Sequence, residues 1–119
     1  MGYDTKFKGI LRFTSELTDN QLFKLKTYLG EDCRNHPEWN TINLTYIDLK
    51  LSNDNSGLEW NGYQKTYDLD YKIDFVISEM KQSYPDFGLT GELLAQGENI
   101  DDRYILKIVD DKIVKERIS

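Results

Sequence analysis

The sequence predicts one α+β domain spanning residues 1–119, in which two helices cover one face of a mostly antiparallel sheet. The length of 119 residues is enough for one domain and not for two. Segments of alternating apolar and polar residues, typical of half-buried strands, are interrupted twice by segments with helical spacing. The resulting order is β-α-β-β-α-β-β, with a sixth short strand left open, and its first six elements follow the order of the ferredoxin-like motif.

The N-terminal segment predicts a strand followed by a helix. Residues 6–13 alternate between apolar and basic side chains, which predicts a half-buried strand with one basic face. The basic residues of that strand are Lys6, Lys8 and Arg12. Thr18 and Gln21 form a capping box that begins a helix. Leucines then recur at helical spacing as far as Gly30, where a left-handed residue is expected to end the helix.

A loop and a hairpin are predicted next. Residues 31–41 lack periodicity and contain a proline, which favours a loop. Strand propensity returns over residues 42–51, where Asp48 and Lys50 alternate with apolar residues and are expected to face outward. The polar turn at 52–57 and the strand at 58–60 complete the hairpin.

The second helix begins near Asp68, which is a suitable N-cap. A continuous apolar stripe predicts that the helix continues to Tyr84, where Pro85 forces the chain out of helical geometry. Two further strands, over residues 87–95 and 104–108, complete the order of elements, and a tight turn at Asp110-Asp111 leads into a last segment over residues 112–118.

The composition excludes several classes of function. A net charge of −6 repels phosphate backbones, so direct nucleic-acid binding is disfavoured. The basic face of the first strand lies beside Tyr3 and Tyr46, and an RNA-binding sheet places aromatic side chains on its open face. Solvation explains these three charges equally well, and the overall acidity argues against RNA. Cys33 is the only cysteine, which fits a reducing compartment. Without a signal region or an apolar run of roughly 20 residues, the chain is expected to be cytoplasmic and not bound to membrane.

Cys33 and His36 are the residues best suited to chemistry. A zinc site normally needs four ligands, and the chain has no other Cys or His, so we predict neither a metal ion nor a cofactor. A Cys–His dyad would give a small enzyme or ligand-binding protein with its pocket between the sheet and the loop at residues 31–41. Because nothing nearby marks an oxyanion hole, no catalytic residue is predicted, and this reading remains an alternative.

Carboxylates gather in two places. Those at the second helix are Asp68, Asp70 and Asp74, and those in the turn near residue 100 are Glu98, Asp101 and Asp102. A solvated surface explains either set, and so does a surface that docks on basic residues of a partner. The turn lacks the spacing of an EF-hand. The aromatic residues expected to anchor a partner are Trp39, Trp60 and Tyr63.

Two stretches carry a resemblance to a known group of proteins. Trp60-Asn61-Gly62 with Lys65-Thr66-Tyr67, and the segment from Tyr84 to Glu98, resemble small uncharacterised proteins encoded by phages and prophages. The likeness covers about the C-terminal half of the chain. It implies a mobile-element origin and, as for anti-CRISPR proteins, binding and inhibition of a host defence component.

The functional hypothesis is therefore a non-enzymatic inhibitor that acts sterically on a host protein through an acidic surface. A nucleic-acid-binding defence component is the partner that such a surface suits best. A structural homodimer that pairs sheet faces or edges is a further alternative.

Overall fold

The computed structural model describes residues 3–41 and 44–118, which form six strands, two α-helices and two short 3₁₀ helices. The elements in chain order are β1 Lys6–Phe13, α1 Asp19–Lys26, the 3₁₀ helices Cys33–Asn35 and Pro37–Trp39, β2 Leu49–Leu51, β3 Gly57–Trp60, α2 Leu69–Ser83, β4 Leu89–Gln96, β5 Arg103–Val109 and β6 Lys112–Arg117. The predicted α+β class is confirmed, and the predicted order roughly matches, with β6 as a third strand after α2.

The sheet has the order β2-β3-β1-β4-β5-β6, and every neighbouring pair is antiparallel. Strand β1 lies between β3 and β4, so each β-α-β crossover passes over one strand. This is the split β-α-β arrangement of the ferredoxin-like motif. The hairpin of β5 and β6 then extends the sheet beyond β4.

Both helices contribute to a single core cluster with one face of the sheet. From the sheet come Leu11, Leu93 and Leu106, which are essentially inaccessible to solvent. Helix α2 contributes its predicted stripe, whose buried members are Ile73, Val76, Ile77 and Met80. Helix α1 contributes Leu25. The opposite face of the sheet has no helix among the described residues.

The two helix starts differ. At α1, the Thr18 hydroxyl accepts a hydrogen bond from Gln21 N and the Gln21 side chain accepts one from Thr18 N, which confirms the capping box. At α2, Asp68 occupies the N-cap position as predicted, but its side chain makes no capping bond because its backbone is left-handed, with φ of 55°. The expected side-chain cap at Asp68 is therefore wrong.

The strand predicted over residues 42–51 is much shorter in the structure. Residues 42 and 43 lie outside the described residues, and only Leu49–Leu51 belong to the sheet. Segment 44–47 pairs instead with the chain after α1, through the bonds Gly30 N to Ile47 O, Ile47 N to Glu31 O, and Cys33 N to Thr45 O. The backbone bonds that a longer β2 would give to the sheet are thus used locally.

Asp48 was expected to face solvent, and this prediction is also wrong. Its side chain is 2% exposed and lies 3.0 Å from the Lys72 Nζ of α2, which is itself 1% exposed. Lys72 Nζ also donates to the Thr45 hydroxyl at 3.3 Å. Burial raises the pKa of Asp48 despite the lysine beside it. A fully buried ion pair therefore ties α2 to the segment that leads into β2.

The replacement Lys72→Met should destabilise the protein by about 3–5 kcal/mol, because it leaves the Asp48 carboxylate buried and unpaired. The double variant Lys72→Met/Asp48→Leu removes both charges and should recover most of that loss. Urea unfolding followed by circular dichroism measures both values. A single variant within about 0.5 kcal/mol of the wild type would contradict the assignment.

Candidate protein-binding surface

An acidic groove lies between α2 and the loop that follows α1. It is lined by Asn40, Thr41, Leu44, Asp68, Tyr71, Asp74 and Phe75, and it encloses about 560 Å³. Asp68 and Tyr71 are exposed, and the Tyr71 side chain is 63% accessible. The groove thus combines two carboxylates with an exposed phenol and an apolar wall, a mixture typical of protein-binding surfaces.

An aromatic stack supports the wall of the groove. The Trp39 ring lies 5.2 Å from Phe75 and 5.4 Å from Tyr28, measured between centroids. On its other side, the imidazole of His36 stacks nearly parallel to Trp39 at 3.9 Å. The stack holds Trp39 against α2, behind the lining residues.

His36 is held between two carboxylates. Its Nε2 lies 3.0 Å from Glu31 and its Nδ1 lies 3.1 Å from Glu38. These two hydrogen bonds raise the pKa of His36, since both favour the charged imidazolium. The ring orientation that stacks on Trp39 is therefore fixed from both edges.

Asp74 lines the groove and also makes a hydrogen bond that connects two elements of the fold. Its carboxylate accepts a hydrogen bond from the backbone N–H of Ile113 at 2.8 Å, which ties α2 to β6. Burial raises the pKa of Asp74, with a smaller contribution from the negative charge of Asp70. Asp68 is exposed and precedes Asp74 by six residues, which is more than one helical turn.

Asp70 and the turn at residues 97–102 meet around Tyr104, outside the groove. Burial first, and then the nearby carboxylates of Asp70 and Asp102, raise the pKa of Tyr104 to about 12. Asp102 accepts hydrogen bonds from the Tyr3 hydroxyl at 2.6 Å and from Arg117 at 3.0 Å. Glu98 accepts one from Asp4 N at 2.8 Å. Glu98 and Asp102 therefore anchor residues near the N-terminus, and Asp101 lies in the same turn with its side chain exposed.

The remaining aromatic candidates lie elsewhere. Trp60 is partly buried, packs edge-on against Phe7 at 5.6 Å and donates its indole N–H to the Thr66 hydroxyl at 2.8 Å. Tyr63 is 48% exposed and lies 5.9 Å from Tyr46, away from the groove-lining residues. Of the nine predicted partner-binding residues, the structure brings Asp68, Asp74 and Trp39 together at the groove.

Tyr71 and Phe75 complete the groove, and neither was among the predicted partner-binding residues. With Asp68 they fall at i, i+3 and i+7 on α2, and that spacing places them on one side of a helix. This spacing could therefore have identified both residues from the sequence.

Cys33 and His36 share a shallow pocket of about 240 Å³. The thiol is only 3% exposed, and burial raises the pKa of Cys33. Because both ring nitrogens of His36 are held by Glu31 and Glu38, neither is oriented to take a proton from the thiol. The described residues contain no group of three or more His, Cys, Asp or Glu that would hold a metal ion.

No family model matches the chain, and no curated protein or solved structure matches it. Among residues 3–41 and 44–118, neither helix has the length and apolar character needed to span a membrane.

Stability should fall as pH rises through and above the ordinary histidine value of about 6.5, because the only histidine of the chain has a raised pKa in the folded state. The folded protein binds the imidazole proton more tightly than the unfolded chain, whose histidine titrates near 6.5. The stabilisation is complete below that value and is lost as pH rises through the folded pKa. The midpoints of urea unfolding, measured across this pH range, test how steeply stability changes with pH.

The matched control is His36→Gln, which keeps a polar group but cannot titrate. Its stability should vary less with pH across the same window. A slope identical to that of the wild type would show that the contacts of His36 with Glu31 and Glu38 do not couple to folding.

Proposed function

We propose that this protein is a non-enzymatic binding protein that docks the acidic groove of α2 on a basic surface of a partner protein. The observation that carries the proposal is the convergence of Asp68, Asp74 and Tyr71 on one groove with a rigid aromatic wall behind it. Aromatic anchors supply most of the affinity in such interfaces, while charges select the partner and accelerate association.

The proposed partner is a host protein whose basic surface binds nucleic acid. Lys and Arg side chains that neutralise phosphates form a positive surface, and carboxylates on a rigid helix complement it. Occupation of that surface would exclude the nucleic acid sterically, so inhibition needs no catalytic residue. The resemblance of residues 60–67 and 84–98 to phage and prophage proteins supports a host defence component as the target, with the host cytoplasm as the place of action.

An enzymatic function has weaker support. The buried thiol of Cys33 and the doubly bonded imidazole of His36 lack the nucleophile–base contact that activates a cysteine.

The charge reversal Asp68→Lys/Asp70→Lys should weaken partner binding at least about tenfold, because it replaces attraction with repulsion at the groove and the adjoining helix start. Asp74 is left intact because it also holds Ile113 N. The measurement is affinity capture from bacterial lysate at low and high salt, with quantification of each retained protein.

The matched control is Glu16→Lys/Asp86→Lys, which changes the net charge equally at exposed positions away from the groove. Proteins retained by the wild type and the control, lost by the groove variant and eluted by salt support the proposal. Retention that is unaffected by the groove variant, or lost equally in the control, contradicts it.

A further inference from the structure

The uncovered face of the sheet has a charge opposite to that of the whole chain. Strands β1, β2 and β5 place six basic side chains on this face: Lys6, Lys8, Arg12, Lys50, Arg103 and Lys107. The acidic side chains on this face come from β3, β4 and β6, and they are Glu59, Glu92 and Glu116. The face is therefore basic although the chain carries a net charge of −6.

Half of these basic groups have polar partners within the protein. Lys50 pairs with Glu59 at 3.4 Å, Lys107 pairs with Glu116 at 2.6 Å, and Arg12 donates to the Ser56 hydroxyl at 2.9 Å. The charges of Lys50 and Lys107 are therefore balanced by carboxylates, and the Arg12 guanidinium is held by a hydroxyl group.

The other basic groups surround one hollow of about 320 Å³, which is lined by Lys6, Lys8, Leu94, Gln96 and Arg103. Lys6 and Arg103 both lie beside Gln96 in the strand register, and Lys8 lies beside Leu94. Within the described part of the chain, Lys6, Lys8 and Arg103 form no side-chain hydrogen bond or ion pair. Three like charges around one hollow repel one another, and an anionic group in the hollow would relieve that repulsion.

Apolar side chains adjoin the hollow on the same face. Leu94 is 38% exposed and Val114 is 39% exposed, and Ile105 lies beside Leu94 on the neighbouring strand. An occupant that suits this face therefore presents both carboxylates and apolar groups.

A protein segment fits these features better than a nucleic acid does. Proteins that bind single strands stack bases on aromatic side chains, and strands β1, β4, β5 and β6 place none on this face. Leu94, Ile105 and Val114 offer contacts that aliphatic side chains of a protein would use.

We propose that the open face of the sheet is a second protein-binding surface, which takes an acidic segment of a partner protein with its carboxylates on Lys6, Lys8 and Arg103. This surface lies on the side of the sheet opposite α2 and its acidic groove, so the two can be occupied together. The protein would then join a basic surface and an acidic segment, on one partner or on two.

A synthetic peptide that repeats Glu-Ser-Leu-Ser tests the proposal. In an extended peptide alternate side chains face the same side, so Glu and Leu both reach the sheet and Ser faces away. About twelve residues span roughly 40 Å, which is enough to cross the face. Fluorescence anisotropy of the labelled peptide gives the dissociation constant, with a Lys-Ser-Leu-Ser peptide and an oligothymidylate as comparisons.

The variant Lys6→Glu/Arg103→Glu should weaken binding of the acidic peptide at least about tenfold. The control Lys26→Glu/Lys65→Glu makes the same change in net charge at exposed positions of α1 and the loop before α2, and should change binding less than about threefold. Leu94→Ser should also weaken binding of the acidic peptide, since it removes apolar contact without removing charge. Circular dichroism shows whether each variant folds.

Equal losses in the two charge variants would overturn the proposal, as would an absence of peptide binding or tighter binding of the oligothymidylate. Reversal of Asp68 and Asp70 should leave peptide binding intact. That arm separates this surface from the acidic groove, so failure of one proposal does not imply failure of the other.

Discussion

The buried ion pair of Lys72 and Asp48 is the interaction on which the placement of α2 depends. Close packing of the apolar stripe already resists sliding or rotation of the helix on the sheet, and the charge pair adds a stricter requirement, because few geometries satisfy both buried groups. A buried charge that loses its partner destabilises the fold strongly. Positions of α2 that would separate Lys72 from Asp48 are therefore disfavoured. Thr45 adds a second acceptor for the lysine, which fixes its direction further.

The same pair determines which side of α2 faces outward. With Lys72 directed inward, Asp68 and Tyr71 are turned toward solvent and Phe75 toward the loop. The stack of His36, Trp39 and Phe75 then closes the groove from the loop side. The acidic groove is therefore a consequence of how the core is fixed, and it is preorganised for binding.

Much of the fold follows from local patterns in the sequence, and the errors have a common cause. The capping box at Thr18 and the apolar stripe of α2 involve residues a few positions apart, and both were predicted correctly. Asp48 was misassigned because its partner lies 24 residues away, and alternation alone cannot distinguish an outward carboxylate from a buried ion pair. Contacts between residues still further apart in the chain could not be predicted from such patterns either. An example is the hydrogen bond between Asp4 and Glu98, which are 94 residues apart.

The candidate site was predicted in part for the same reason. The cluster of carboxylates at the second helix identified Asp68 and Asp74, whereas Trp39 reached the groove only through the loop conformation. The net charge of −6 also concealed the separation of an acidic helix side from a basic sheet face, because composition averages over surfaces.

The most direct test of the account is amide hydrogen exchange of the protein with and without a partner captured through its acidic surface. Occupation of the groove predicts slower exchange at residues 68–75 and 37–41 in the complex. Unchanged exchange in these segments, or protection confined to the turn at residues 97–102, would contradict the assignment of the groove as the binding surface.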